Sequence, residues 1–277
     1  MPDTDIPLHV LPELPFLASD EQTAFGEHSA DHRIDFFAVI WFTQDDGEHY
    51  IDFEAYPICK NTVYLLSKNQ VHAIPSQQLP RAKVMVFSTD FFHRVEEPFL
   101  RQLFLPFDNV GITIPGHMQV PLEKLFDLIL LENQGQADIN LLLKYTTAFL
   151  WHLYRFSAQR FSLEAGEDHR MVKLFQLMEV HYKEGRSASY YAAQIGLTAK
   201  RINEILRQRT GFTISQLLYQ FLVIEAKREI YHNRLSIKEI AYQLGFSDQS
   251  YFARFFKKHT GLTPEQFRES QHSAYKT

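Results

Sequence analysis

Hydrophobic positions change their spacing twice along this chain of 277 residues. Between Arg33 and Thr89 the apolar and β-branched residues come in short runs, at 34–42, 48–53, 62–66 and 83–87. Each run has strand length and is bounded by turn-forming residues at Asp45-Asp46-Gly47, Pro57, Lys68-Asn69 and Pro75. Short strands at near-regular spacing predict a barrel or sandwich, with residues 91–104 as a helix closing one end. After Pro121 the period lengthens: Leu122, Leu125, Phe126, Ile129 and Leu130 recur at helical spacing, as do Leu141, Leu142, Tyr145, Phe149, His152 and Leu153. Two long helices joined at residues 133–136 follow, and packing on the strands or pairing with a second copy explains their apolar faces equally well. Residues 157–166 are more polar and read as a linker.

From Asp168 onward the pattern is helical throughout, and it repeats. Ala192-Ala193-Gln194-Ile195-Gly196-Leu197-Thr198 returns as Ala241-Tyr242-Gln243-Leu244-Gly245-Phe246-Ser247. Each copy then runs through a cationic amphipathic stretch to a Thr-Gly pair, at Thr210-Gly211 and Thr260-Gly261. A short helix, a glycine turn, a cap and a second basic helix describe a helix-turn-helix. Thr213 with Gln216 and Ser236 with Glu239 are capping boxes that open further helices, and Thr263-Pro264-Glu265-Gln266 places a cap, a Pro at the first helical position and a Gln at the third. The helix predicted over residues 214–231 would span roughly 27 Å at about 1.5 Å per residue. That is the right order to set two groove-reading helices near the roughly 34 Å repeat of the major groove.

The expected fold class is α+β. An N-terminal β-barrel with two or more packed helices (residues 1–160, helical at about 120–158) leads through a linker at 161–167. An all-α domain of about seven helices follows at 168–277, with helix-turn-helix units at about 189–210 and 237–260. Composition is that of a globular chain, 45% hydrophobic and 22% charged. No apolar run approaches the roughly 20 residues of a membrane span, and the N-terminus shows no secretory signal, so a cytoplasmic protein without a membrane partner is expected. The single Cys59 excludes an internal disulfide and a cysteine-based zinc site, and reads as a small buried residue. Net charge is −5, but it divides into −12 over residues 1–167 and +7 over residues 168–277. Only the second part is built to face phosphate.

Helical phase then selects the groove-facing residues. With Ile202, Ile205 and Leu206 turned inward, Lys200, Asn203, Glu204 and Arg207 face out, with Arg201 flanking. With Phe252, Phe255 and Phe256 turned inward, Gln249, Ser250, Ala253, Arg254 and Lys257 face out. Asn and Gln suit adenine, Glu accepts from the cytosine N4 amino group, and Arg or Lys suits guanine or phosphate. Double-stranded promoter or operator DNA is the partner this implies.

At these residues the chain resembles the AraC/XylS family of bacterial transcription regulators, over residues of about 170–270. The second unit carries the resemblance most closely, in Ser236-Ile237-Lys238-Glu239-Ile240-Ala241, Gly245-Phe246, Ser250-Tyr251-Phe252, Arg254-Phe255-Phe256-Lys257-Lys258, Thr263-Pro264 and Phe267-Arg268. Many members carry Arg where this chain has Glu204. Residues 28–90 resemble the cupin-type sensor domain common in the family: His32-Arg33-Ile34-Asp35-Phe36-Phe37 is similar to its opening motif, with Ile34 in place of a second His, and Gln70-Val71-His72 is similar to its later turn. The resemblance implies an effector-responsive regulator that is not an enzyme and needs no cofactor. RNA polymerase, a small-molecule effector and a second copy of the chain are further partners it admits. His32, Phe36, Trp41 and His72 are the candidate ligand-binding residues. His28, His32 and His72 make at most a partial metal set, so no metal site is expected. The alternative is a metal-dependent cupin enzyme carrying a DNA-binding appendage.

Overall fold

The computed structural model describes residues 7–11, 14–20, 31–76, 79–106, 108–157, 168–184 and 187–274. They divide into two compact units, one ending with residue 157 and the other beginning with residue 168. The expected linker at 161–167 and His28 lie outside the described residues.

The first unit comprises strands β1 (Leu8–His9), β2 (Phe16–Ser19), β3 (His32–Ile34), β4 (Phe37–Phe42), β5 (Asp46–Ile51), β6 (Glu54–Ile58), β7 (Thr62–Leu66), β8 (Val71–Ala73), β9 (Ala82–Phe87) and β10 (Ile112–Thr113). Its helices are α1 (Thr89–His93), a 3-10 helix at Pro98–Phe104, α2 (Gly116–Gln134) and α3 (Ile139–Ser157). The strands form two five-stranded sheets, ordered β1-β3-β8-β5-β6 and β10-β7-β4-β9-β2. Among the described residues neither sheet closes on itself, which overturns the expected cupin-like barrel: both sheets keep free edges, and β6 and β10 end them.

The second sheet is covered on both faces. Val39, Trp41, Val63, Leu65, Met85 and Phe87 pack into one core with Phe126, Ile129, Phe149 and Leu153 of α2 and α3. The alternate residues Ala38, Ile40, Phe42, Tyr64, Leu66 and Val86 join Ile34, Ile51 and Ile58 of the first sheet in another. Burial on both sides explains why residues 36–42 read as a continuous apolar run rather than an alternation. The long run at 34–42 is two strands, broken at Asp35 and Phe36.

One turn carries no signal in the sequence, and two prolines sit inside elements rather than between them. The β5–β6 hairpin turns on Asp52 and Phe53, both at positive φ (48° and 70°), without the usual Asn-Gly pair. The buried Asp52 carboxylate accepts from Gln70 Nε2 at 2.8 Å and from the Val71 N–H at 3.2 Å, which holds the turn in place. Pro57 lies within β6, an edge strand where a missing N–H costs no ladder bond. Pro121 sits inside α2, which starts at Gly116. The single helix expected over 91–104 is two pieces, because Pro98 disfavours helical backbone at the residue before it. Cys59 is exposed, against its expected burial, in the turn after β6.

The second unit holds α4 (Asp168–His181), α5 (Ala188–Ile195), α6 (Ala199–Thr210), α7 (Ile214–His232), α8 (Ile237–Gln243), α9 (Gln249–Thr260) and α10 (Pro264–Ala274). Its core is built from one stripe of each helix, including Leu174, Tyr191, Ile202, Leu206, Leu217, Ile240, Phe252, Phe256 and Phe267.

Candidate nucleic-acid interface

Two helix pairs, α5 with α6 and α8 with α9, are assembled by the same devices. Gly196 and Gly245 stand in the turns with φ of 68° and 74°, the left-handed region that glycine enters without penalty. Thr198 then caps α6 by accepting the Arg201 N–H, and Asp248 caps α9 by accepting the Tyr251 N–H at 2.7 Å. The cap of the second unit is therefore Asp248, and its turn is one residue longer. Phe246 of that turn packs against Phe252 and Phe255, with ring centroids 5.2 and 5.1 Å apart, seating α9 on its partner helix.

Between the pairs runs α7, 19 residues long, or about 28 Å at about 1.5 Å per residue. Its start is the expected capping box: Thr213 accepts from the Gln216 N–H while Gln216 Oε1 accepts from the Thr213 N–H at 2.8 Å. Its end is Asn233 in the left-handed conformation. The box at Ser236 and Glu239 opens α8, and its hydrogen bonds to Ser236 hold the Glu239 carboxyl below the usual range. Tyr219 of α7 meets the rings of Phe255 and His259 of α9 at 5.5 and 5.3 Å, and α10 is tied back by Arg268 donating to the Leu235 carbonyl at 2.9 Å.

Among the sequence-selected residues of α6, Lys200, Arg201, Glu204 and Arg207 are exposed, opposite buried Ile202, Ile205 and Leu206. Arg201 and Glu204 form an ion pair at 3.6 Å. Asn203 is placed differently. It is half-buried, and its Oδ1 accepts the Ile214 N–H at 3.0 Å, satisfying a donor that the first turn of α7 would otherwise leave open. On α9, Gln249, Ser250, Arg254 and Lys257 are exposed and Ala253 is half-buried, opposite Phe252, Phe255 and Phe256. Lys258, which the phase argument passed over, is exposed beside them.

The comparisons agree with this geometry. A helix-turn-helix domain family matches residues 191–270, which run from within α5 through α6, α7, α8 and α9 into α10. The C-terminal unit thus carries a helix-turn-helix domain. Two similar relatives are the transcriptional activators RhaS of Salmonella schwarzengrund, 27% identical over 281 residues, and RhaS of Salmonella dublin, 28% identical over 279; each alignment covers 98% of this chain and 95% of the relative. The solved structure of unsaturated fatty acid bound ToxT from Vibrio cholerae covers 91% of this chain and 94% of its own at 16% identity and a TM-score of 0.45, too distant a likeness to inform the fold.

Outside this helix-turn-helix domain, the candidate ligand residues divide. Trp41 is fully buried and belongs to the core under the helices, at 6.4 and 6.0 Å from Phe126 and Phe149. Phe36 packs half-buried against the core between the sheets. His32 and His72 are directly opposite each other on β3 and β8, their rings 4.1 Å apart. His9 extends this row on β1 at 4.4 Å from His32, and His49 on β5 closes it, its Nε2 3.3 Å from His72 Nδ1. Sequence reading missed His49, although Glu48-His49-Tyr50-Ile51 alternates and places it on the inner face with Ile51. Burial, followed by the charge of His32, pushes the His49 imidazole down to about 3. Among the described residues no group of three or more His, Cys, Asp or Glu is arranged to hold a metal ion. With no closed barrel either, the metal-dependent cupin alternative loses its frame. No helix among the described residues is long and apolar enough to cross a membrane.

Proposed function

We propose that this chain is a sequence-specific DNA-binding transcription regulator rather than an enzyme, and that it sets α6 and α9 into two major-groove stretches of a promoter. The observation that carries this reading is the duplicated unit: two capped, glycine-turned helix pairs, each presenting a cationic face, bracket one 19-residue helix. Lys200, Glu204 and Arg207 occupy the same three helical positions as Ser250, Arg254 and Lys257, directly opposite the buried stripes. These six are the base- and phosphate-facing set; Arg201, Gln249 and Ala253 flank it, and Asn203 positions α6 against α7. The transcriptional activators among its relatives support the same role.

In this reading residues 1–160 form a sensing or self-association domain, 161–167 the linker and 168–277 the DNA-binding domain, with RNA polymerase as a further partner. The face of the first sheet that carries His32 and His72, with Phe36 nearby, is where a small-molecule effector would act. It would do so only through different affinities for the DNA-competent and incompetent states. Mobility shift and footprinting on a duplex from the chain's own upstream region test the proposal. Two protected stretches separated by about one helical turn of DNA, roughly 34 Å, are expected. Equal affinity for a scrambled duplex, with no footprint, removes it.

A further inference from the structure

The two recognition helices differ in sign at one matched position. Counting fifty residues from α6 to α9 puts Glu204 where Arg254 stands and Arg201 where Tyr251 stands. Both acidic and basic partners of the first unit are exposed, with side chains about half accessible (52% for Arg201 and 50% for Glu204), and they pair across one turn of helix at 3.6 Å. A carboxylate on a helix face that meets phosphates is repelled by them, unless the groove offers it a donor. The major groove offers two amino donors, adenine N6 and cytosine N4, and the cytosine one suits a carboxylate because no acceptor like adenine N7 stands beside it on the same base.

Resting on the DNA-binding reading, we infer that Glu204 is a sequence-conditional lock on Arg201. Away from its site, the carboxylate holds the guanidinium and cancels a charge that would otherwise reach a phosphate on any sequence. At a cytosine in the right position the carboxylate turns to the N4 amino group, and Arg201 is released to the backbone. An exposed pair of this kind is weak enough to open on binding. One base pair thereby decides whether a sequence-independent contact forms, so Glu204 penalises wrong sequences more than it strengthens the right one.

The test uses the full chain as wild type, Glu204→Gln, Arg201→Ala and the double variant, all at exposed positions. Affinities are measured between 50 and 200 mM salt for two duplexes of equal length: one selected by the wild-type chain from a random library, and a scrambled sequence. The charge-free Glu204→Gln should bind scrambled DNA roughly two- to fivefold more tightly, with a salt slope steeper by about one. Its preference for the selected duplex should narrow, and Arg201→Ala should cancel the gain. Additive effects of the two substitutions, or a Glu204→Gln change confined to the selected duplex, overturn the lock while leaving a regulator in place. A wild-type chain that does not discriminate between the duplexes overturns the regulator reading, and the lock with it.

Discussion

Arg254 and Lys257 project from the side of α9 opposite Phe252 and Phe256, on a helix whose C-terminal half adds Lys258. A cation in that place can lock onto a guanine edge or onto a phosphate, and the two have different signatures. Arg254→Ala is expected to cost about 1–3 kcal/mol of binding free energy and to relax specificity at one base step. Titrations against single-base variants of the site check this, and a uniform loss on every sequence would make the contact a phosphate one. His49 makes its own prediction in the other unit. Its folded-state value, about 3, lies below the ordinary 6.5, so the neutral ring contributes stability that is complete above pH 6.5 and falls away as the pH drops toward 3. Across that window the loss approaches about 1.4 kcal/mol per pH unit. Both tryptophans, Trp41 and Trp151, lie in the N-terminal unit, so urea unfolding followed by their fluorescence reports it separately. In His49→Phe the acid slope should flatten. Asn203 shows where reading single residues reaches its limit. Helical phase places it off the buried stripe, but only the arrival of α7 against α6 reveals that its oxygen is committed to Ile214.

At the level of elements, the helical half was legible because its signals are local. Caps at Thr198, Thr213, Ser236 and Thr263 act within one turn of their own helices, and each is found in place. Strand pairing depends on partners far along the chain, and there the reading was coarser. The hairpin at Asp52 and Phe53 carries no turn dipeptide, and its support comes from Gln70, 18 residues away. Pro57 interrupts nothing because β6 is an edge, a fact of topology that no local pattern contains. The capping box of α7 allows a quantitative check. Thr213→Ala should lower the stability of the helix-turn-helix unit by about 1 kcal/mol, whereas Thr213→Gly should lose only a few tenths. Chemical denaturation followed by circular dichroism distinguishes the two, and equal losses would mean that the hydroxyl is not what holds the helix end.

Across the whole molecule, net charge divides as the two units do: −12 before residue 168 and +7 after it. The architecture of the acidic part was less accessible. Several short strands fit a closed barrel and two facing sheets equally well, because alternation and turn spacing are the same in both. What separates them is whether the last strands pair, and here β6 and β10 stay at the margins. The helix-turn-helix part has a different constraint in α7, bounded by the Thr213 box and by Asn233. Each residue added to or removed from such a rod would advance its far end by about 1.5 Å and rotate it by about 100°. A lone insertion would therefore swing one end of the rod out of phase with the other, while seven residues, close to two full turns, would restore the phase but move the ends about 10 Å further apart. Phase and separation of the two helix pairs are thus fixed together by this segment, a constraint that ordinary connecting loops escape.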